Sequence, residues 1–124
     1  MKASVSSKGF TLLELLVVVA IVGLLSAIAI PIYRTYRARG FNARIQMDVR
    51  NAATAEEAYF INAQSYLTSG NCNPLLGMVV SAGVNCTLAT GTGSPSYKVT
   101  ATHPLASYGN CTYDSGALPH LGCS

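Results

Sequence analysis

Phe10-Thr-Leu-Leu-Glu14-Leu-Leu-Val-Val-Val-Ala-Ile-Val-Gly23-Leu-Leu-Ser-Ala-Ile-Ala-Ile30 is the most apolar stretch of this chain, and it holds a single acid, Glu14. From Leu15 to Tyr33 nineteen consecutive residues carry no charge. At about 1.5 Å per residue a helix of that length reaches roughly 28 Å, the thickness of a hydrocarbon core. Leu, Ile and Val recur on every side of it, the pattern of a helix surrounded by lipid or by other helices and not of one lying in an interface. An ionised carboxylate near the centre of a bilayer costs roughly 2.5 to 3.5 kcal/mol on insertion scales, so an acid inside a spanning segment is functional and needs a partner.

Working outward from this stem, 124 residues leave room for one small soluble part of roughly 90 residues and no second catalytic domain. Residues 1–9 are polar, small and basic and read as a processed leader. Residues 10–33 form the hydrophobic stem, and residues 34–124 the head. Pro31 cannot donate to the carbonyl of Ala27, and together with Gly23 it predicts a loosened or kinked segment in the stem. Beyond it the pattern becomes amphipathic: Phe41, Ile45, Val49, Ala52, Ala55, Tyr59 and Ala63 recur at helical spacing, which predicts a helix over 34–66. From 67 to 124 the composition turns to Gly, Ser, Thr, Asn and Pro, with strands expected at Asn85–Thr90, Ser96–His103 and Tyr108–Asp114. In the second of these Tyr97, Val99 and Ala101 alternate with Lys98, Thr100 and Thr102, so one face should be buried. The expected fold is α+β: a long N-terminal helix whose amphipathic half packs on a small antiparallel sheet with disulfides.

The formal charge of +3 implies no polyanion partner, because Lys2 and Lys8 belong to the leader. Arg34, Arg37, Arg39, Arg44 and Arg50 follow the stem with Asp48, Glu56 and Glu57 interspersed, a mixture that predicts a solvated helix face with intrahelical or intersubunit pairs. DNA is the competing partner for these arginines. Cys72, Cys86, Cys111 and Cys123 all lie beyond the stem. An even count in a small non-cytosolic domain predicts two disulfides, with three connectivities open. Pairing Cys72 with Cys86 and Cys111 with Cys123 is favoured because each closes a short local loop. There is no C-x-x-C, and His103 and His120 lack ligand spacing, so no metal and no cofactor is expected. No nucleophile, acid-base pair or phosphate loop is present, and an enzyme is not expected.

The run Lys8-Gly9-Phe10-Thr11-Leu12-Leu13-Glu14-Leu15-Leu16-Val17-Val18-Val19-Ala20-Ile21 resembles the class III signal of type IV pilins and related pseudopilins: a small-residue junction, an aromatic, an acid four residues later and Pro31 beyond. The resemblance is close over residues 8–36 and architectural over the rest. It implies that a prepilin peptidase and methyltransferase cuts between Gly9 and Phe10 and methylates the new amine, and that the stem stays on the protein. Before assembly the subunit would cross the inner membrane once. It would then leave, through an assembly platform in that membrane, into an extracellular helical homopolymer whose core is built of stems.

Residue chemistry fits the same picture. Cleavage would create a protonated α-amine at Phe10 beside the only acid of the stem. At about 4 Å and an effective dielectric near 20 their attraction is about 4 kcal/mol before desolvation. A stem shifted by one turn would leave both charges unpaired, so Glu14 is expected to set axial register. A head-to-tail contact of this kind does not close into a ring and propagates as an open helix. A surface pilus serving adhesion, motility or DNA uptake, with DNA and host or abiotic surfaces as candidate partners, is the first reading.

Two alternatives are a pseudopilin of a type II secretion system and an electron-conducting pilus subunit. The conducting reading draws on Phe10, Tyr33, Tyr36, Phe41, Tyr59, Phe60 and Tyr66, although aromatics at this spacing ordinarily serve packing. A secretory signal ending at Ala27-Ile28-Ala29 and a plain membrane anchor are the competing accounts of the stem; Glu14 speaks against the first. The positive-inside rule does not orient the chain, since Lys2 and Lys8 precede the stem while Arg34, Arg37 and Arg39 follow it on the side the leader motif makes external. The sequons at Asn85 and Asn110 each have a cysteine in the middle and are read as chance.

Overall fold

A computed structural model describes residues 9–75 and 77–124. The remainder of the expected leader, with Lys2 and Lys8, lies outside the described residues. One helix, α1, is assigned over Leu12–Ala63 (52 residues). The chain divides into two compact units between Thr35 and Tyr36.

In the first unit the stem is helical and apolar on all sides. Leu12 is 82% exposed, Leu24 72% and Ile28 66%, which in water would be untenable for so much hydrocarbon and is expected of a surface meant for lipid or for other stems. The helical assignment runs without a break through Gly23 and Pro31. Pro31 withholds one donor from the ladder, and the Thr35 hydroxyl donates to the Pro31 carbonyl at 3.2 Å. The expected kink is therefore not a break in the assigned helix.

In the second unit, Ile45, Val49 and Ala52 are fully buried together with Tyr97, Val99 and Ala101. The sheet has five strands, β1 (Ser69–Asn71), β2 (Asn85–Thr90), β3 (Tyr97–Thr102), β4 (Cys111–Asp114) and β5 (Leu121–Cys123). They pair antiparallel in the order β1-β2-β3-β4-β5. Opposed pairs such as Leu88 with Val99 and Cys86 with Ala101 place the inward side chains of β2 and β3 on one face. The disulfides join Cys72 to Cys86 and Cys111 to Cys123. The second ties directly opposed residues of β4 and β5.

Several bounds differ from expectation. α1 ends at Ala63 rather than Tyr66, because Gln64 adopts a left-handed φ of 52° and its side-chain amide donates to the carbonyls of Phe60 and Ile61 at 3.4 and 3.2 Å. The strand expected from Tyr108 begins only at Cys111. Asn42 accounts for the difference: its side-chain oxygen accepts from the amides of Ser107 and Tyr108 at 2.9 and 3.3 Å and holds them in a loop.

Candidate assembly site

Glu14 lies in the first turn of α1. The Glu14 amide donates to Thr11 Oγ1 at 3.2 Å, while the Glu14 carboxylate accepts from the Thr11 amide at 3.0 Å and from the Thr11 hydroxyl at 2.9 Å. Thr11 and Glu14 thus close a capping box, each satisfying an orphan donor at the start of the helix. In the lone chain the carboxylate is consequently not bare. The box also lightens the burden of holding Glu14 at the edge of a bilayer, because the oxygen that would be desolvated already has donors. Phe10, one residue before the cap, is 84% exposed, and Gly9 is exposed as well. The junction between them is accessible.

The head's acids do something other than what the sequence suggests. Asp48, Glu56 and Glu57 were expected to offset the arginines on a solvated face. Instead Asp48 is 2% exposed and accepts from the amide and hydroxyl of Ser81 at 3.0 and 2.9 Å. Glu56 is fully buried and accepts from the Leu67 amide at 3.1 Å, leaving Oε1 without a partner among the described residues. Burial, aided by the neighbouring Glu57 charge, pushes the Glu56 carboxyl above its ordinary range. Glu57 accepts from the hydroxyls of Tyr97 and Tyr66 at 3.1 and 3.2 Å. The acids of the head's part of α1 therefore pin loops and tyrosines onto the helix, and among the described residues the one ion pair is Lys98 with Asp114 at 3.6 Å.

Asp114 is the hub of the C-terminal part of the head. It accepts from the Thr92 amide and hydroxyl at 2.9 and 2.7 Å and from the Gly116 amide at 3.0 Å. The Thr92 donors, then Gly116 and Lys98, bring its carboxyl down to about 2. A Cβ at Gly116 would overlap the Thr92 carbonyl, so glycine is needed for the close approach.

The aromatic residues fall into separate groups in the head. Phe60, Tyr66, Tyr97, Tyr113 and His120 form a run of neighbouring rings with centroids 4.5 to 6.0 Å apart. Phe41 stacks instead on His103 at 4.1 Å. Sequence reasoning missed Tyr97, Tyr113 and His120 as members of the first group, since their contacts arise from sheet pairing and carry no local signal.

Residues 5–30 match the family described as the prokaryotic N-terminal methylation motif. The chain is 39% identical over 97 residues to a type IV major fimbrial protein FimA of Dichelobacter nodosus, covering 78% of this chain and 56% of that protein. It is 44% identical over 64 residues to a fimbrial protein of Pseudomonas aeruginosa, covering 52% of this chain and 42% of that one. The head-and-helix architecture matches a type IV pilin protein from Thermus thermophilus with a TM-score of 0.55 at 25% identity, over 67% of this chain and 97% of that one. Over these stretches the chain is similar to type IV pilins. The match includes the region that carries Gly9, Phe10 and Glu14, and the chain spans little more than half the length of the FimA protein.

Proposed function

We propose that this chain is a type IV pilin, a structural subunit of a pilus, stored in the inner membrane by its stem and polymerised with copies of itself into an extracellular filament. The observation that carries the reading is a stem exposed and apolar on all sides with one carboxylate in its first turn. Such a surface is covered by lipid in storage and by other stems after assembly. Prepilin peptidase would cut after Gly9 and methylate the amine of Phe10; Glu14 would then exchange its contact with Thr11 for the amine of a neighbouring copy. Because the capping box satisfies the carboxylate beforehand, assembly trades one set of charge-assisted hydrogen bonds for another and the register is set by where the amine lands. The segment from Gly23 to Pro31, one donor short, would yield as stems pack past each other.

Two alternatives share this assembly chemistry. A secretion pseudopilin holding calcium near its C-terminus is disfavoured by Asp114, the one acid of that segment, whose oxygens are taken by Thr92 and Gly116. A conducting fibre is favoured by the ring series from Phe60 to His120. The experiment is to shear surface fibres, image them, and determine the mass and N-terminal sequence of the subunit. A mature chain beginning at a methylated Phe10 is expected; a chain beginning at Ile30 or Met1 contradicts the proposal.

A further inference from the structure

Arg37 and Arg44 lie against one aromatic ring, their guanidinium carbons 5.6 and 5.4 Å from the centroid of Phe41. With Gly40 they line a cleft of about 470 Å³. Neither has a carboxylate within ion-pair distance among the described residues. Two like charges beside one ring repel each other, a cost that a bound anion offsets. A second copy of this chain is poorly equipped to supply it: Asp48, Glu56 and Asp114 are buried, Glu14 belongs to the stem, and Glu57 alone would face five arginines. An anion from outside the chain would offset that repulsion.

The cleft suits a phosphate. Guanidinium forks match phosphate oxygens two at a time. The Phe41 ring offers little open face for a nucleic-acid base, because His103 stacks on it at an interplanar angle of 15°. Arg37 and Arg44 are the fourth and eleventh residues after Tyr33, where the uncharged run ends; they start roughly 6 and 16 Å further along the helix, and long side chains that lean back toward the helix N-terminus reach from there toward headgroups. We propose that Arg37 and Arg44, held against Phe41, bind the phosphate of an anionic phospholipid and tether the head to the lipid surface until the subunit is extracted. This rests on the membrane-stored state above, and it gives the arginines on the external side of the stem, which conflict with the positive-inside rule, a partner of their own.

The test uses the full mature chain in nonionic detergent, with phosphatidylglycerol or phosphatidylcholine added and retained lipid counted by native mass spectrometry. Phosphatidylglycerol should be preferred. Arg37→Gln with Arg44→Gln should weaken its retention about thirtyfold, Lys at both positions should weaken it less, and Arg50→Gln should leave it unchanged. Equal retention by the double variant, or an equal loss with Arg50→Gln, overturns the site. Displacement of the lipid by inorganic phosphate assigns the cleft to free phosphate and overturns the lipid assignment; tighter capture of a single-stranded oligonucleotide assigns it to nucleic acid and does the same. An alkaline carbonate wash of membranes separates the two levels. A parent chain washed out of the membrane removes both readings, whereas one that stays while lipid retention ignores Arg37 and Arg44 removes this proposal alone.

Discussion

Glu14 and Glu56 are both carboxylates among apolar neighbours, and the chain satisfies them to different degrees. The Glu14 carboxylate has two donors, the Thr11 amide and hydroxyl, whereas Glu56 has one donor, Leu67, and one unpartnered oxygen. The Thr-x-x-Glu spacing that announces a capping box was present in the sequence. It is easily overlooked when Glu14 is read only as a charge in a membrane. Helical spacing does put Glu56 on the buried face, four residues after Ala52 and three before Tyr59, but its charge and its resemblance to Glu57 hide it in a polar run.

The difference has a pH signature. Since burial raises the folded pKa of Glu56, the folded head holds that proton more tightly than the unfolded chain does. Stability from this group therefore rises as pH falls from neutral through the raised value, and levels off below the unfolded glutamate value of about 4.3. Glu56→Gln, which keeps an acceptor for Leu67, should flatten the stability difference between pH 7 and pH 5 without lowering the melting temperature at pH 7. Thermal unfolding of the full chain in detergent, followed by near-ultraviolet circular dichroism, checks this; an unchanged pH profile contradicts it. Asp114 acts with the opposite sign and in a separate window. Its folded value near 2 means its contribution is complete above the unfolded aspartate value and is lost as pH falls towards 2.

At the scale of elements, legibility followed the amount of burial. β2 and β3 could be read because alternate residues enter the core, as in Tyr97, Val99 and Ala101. β1 and β5 could not: each has three residues, none buried, and becomes a strand only through its partner's hydrogen bonds. The amphipathic face from Ile45 to Ala55 was legible for the same reason as β3. What periodicity cannot reveal is the set of polar grips, Asn42 on Ser107, Asp48 on Ser81 and Glu56 on Leu67, that dock loops onto α1 across long sequence separations. Pro31 sits differently, since the missing donor is certain from sequence while its effect on the helix depends on what surrounds it. Pro31→Ala restores a bond to the Ala27 carbonyl and removes a penalty of about 3 kcal/mol. It should slow amide exchange between Gly23 and Pro31 in the full chain and lower filament yield. Slowed exchange with undiminished yield would mean that assembly makes no use of the loosened segment.

At the scale of the whole molecule, the two units divide the chemistry. The head consumes its acids internally, through Asp48, Glu56, Glu57 and Asp114, and closes its loops with two disulfides. The stem retains one carboxylate in a surface otherwise made of hydrocarbon. On the proposed reading polymerisation falls to the stem, where Glu14 is the one charged group that can mark an axial position. The deciding measurement is the yield and axial rise of filaments formed by Glu14→Gln, a substitution that preserves size and removes charge. Loss of the amine contact should cut yield by about tenfold or more, with the subunit still processed at Phe10 and held in the membrane. Filaments of normal yield and unchanged rise would contradict the claim that this carboxylate sets the register.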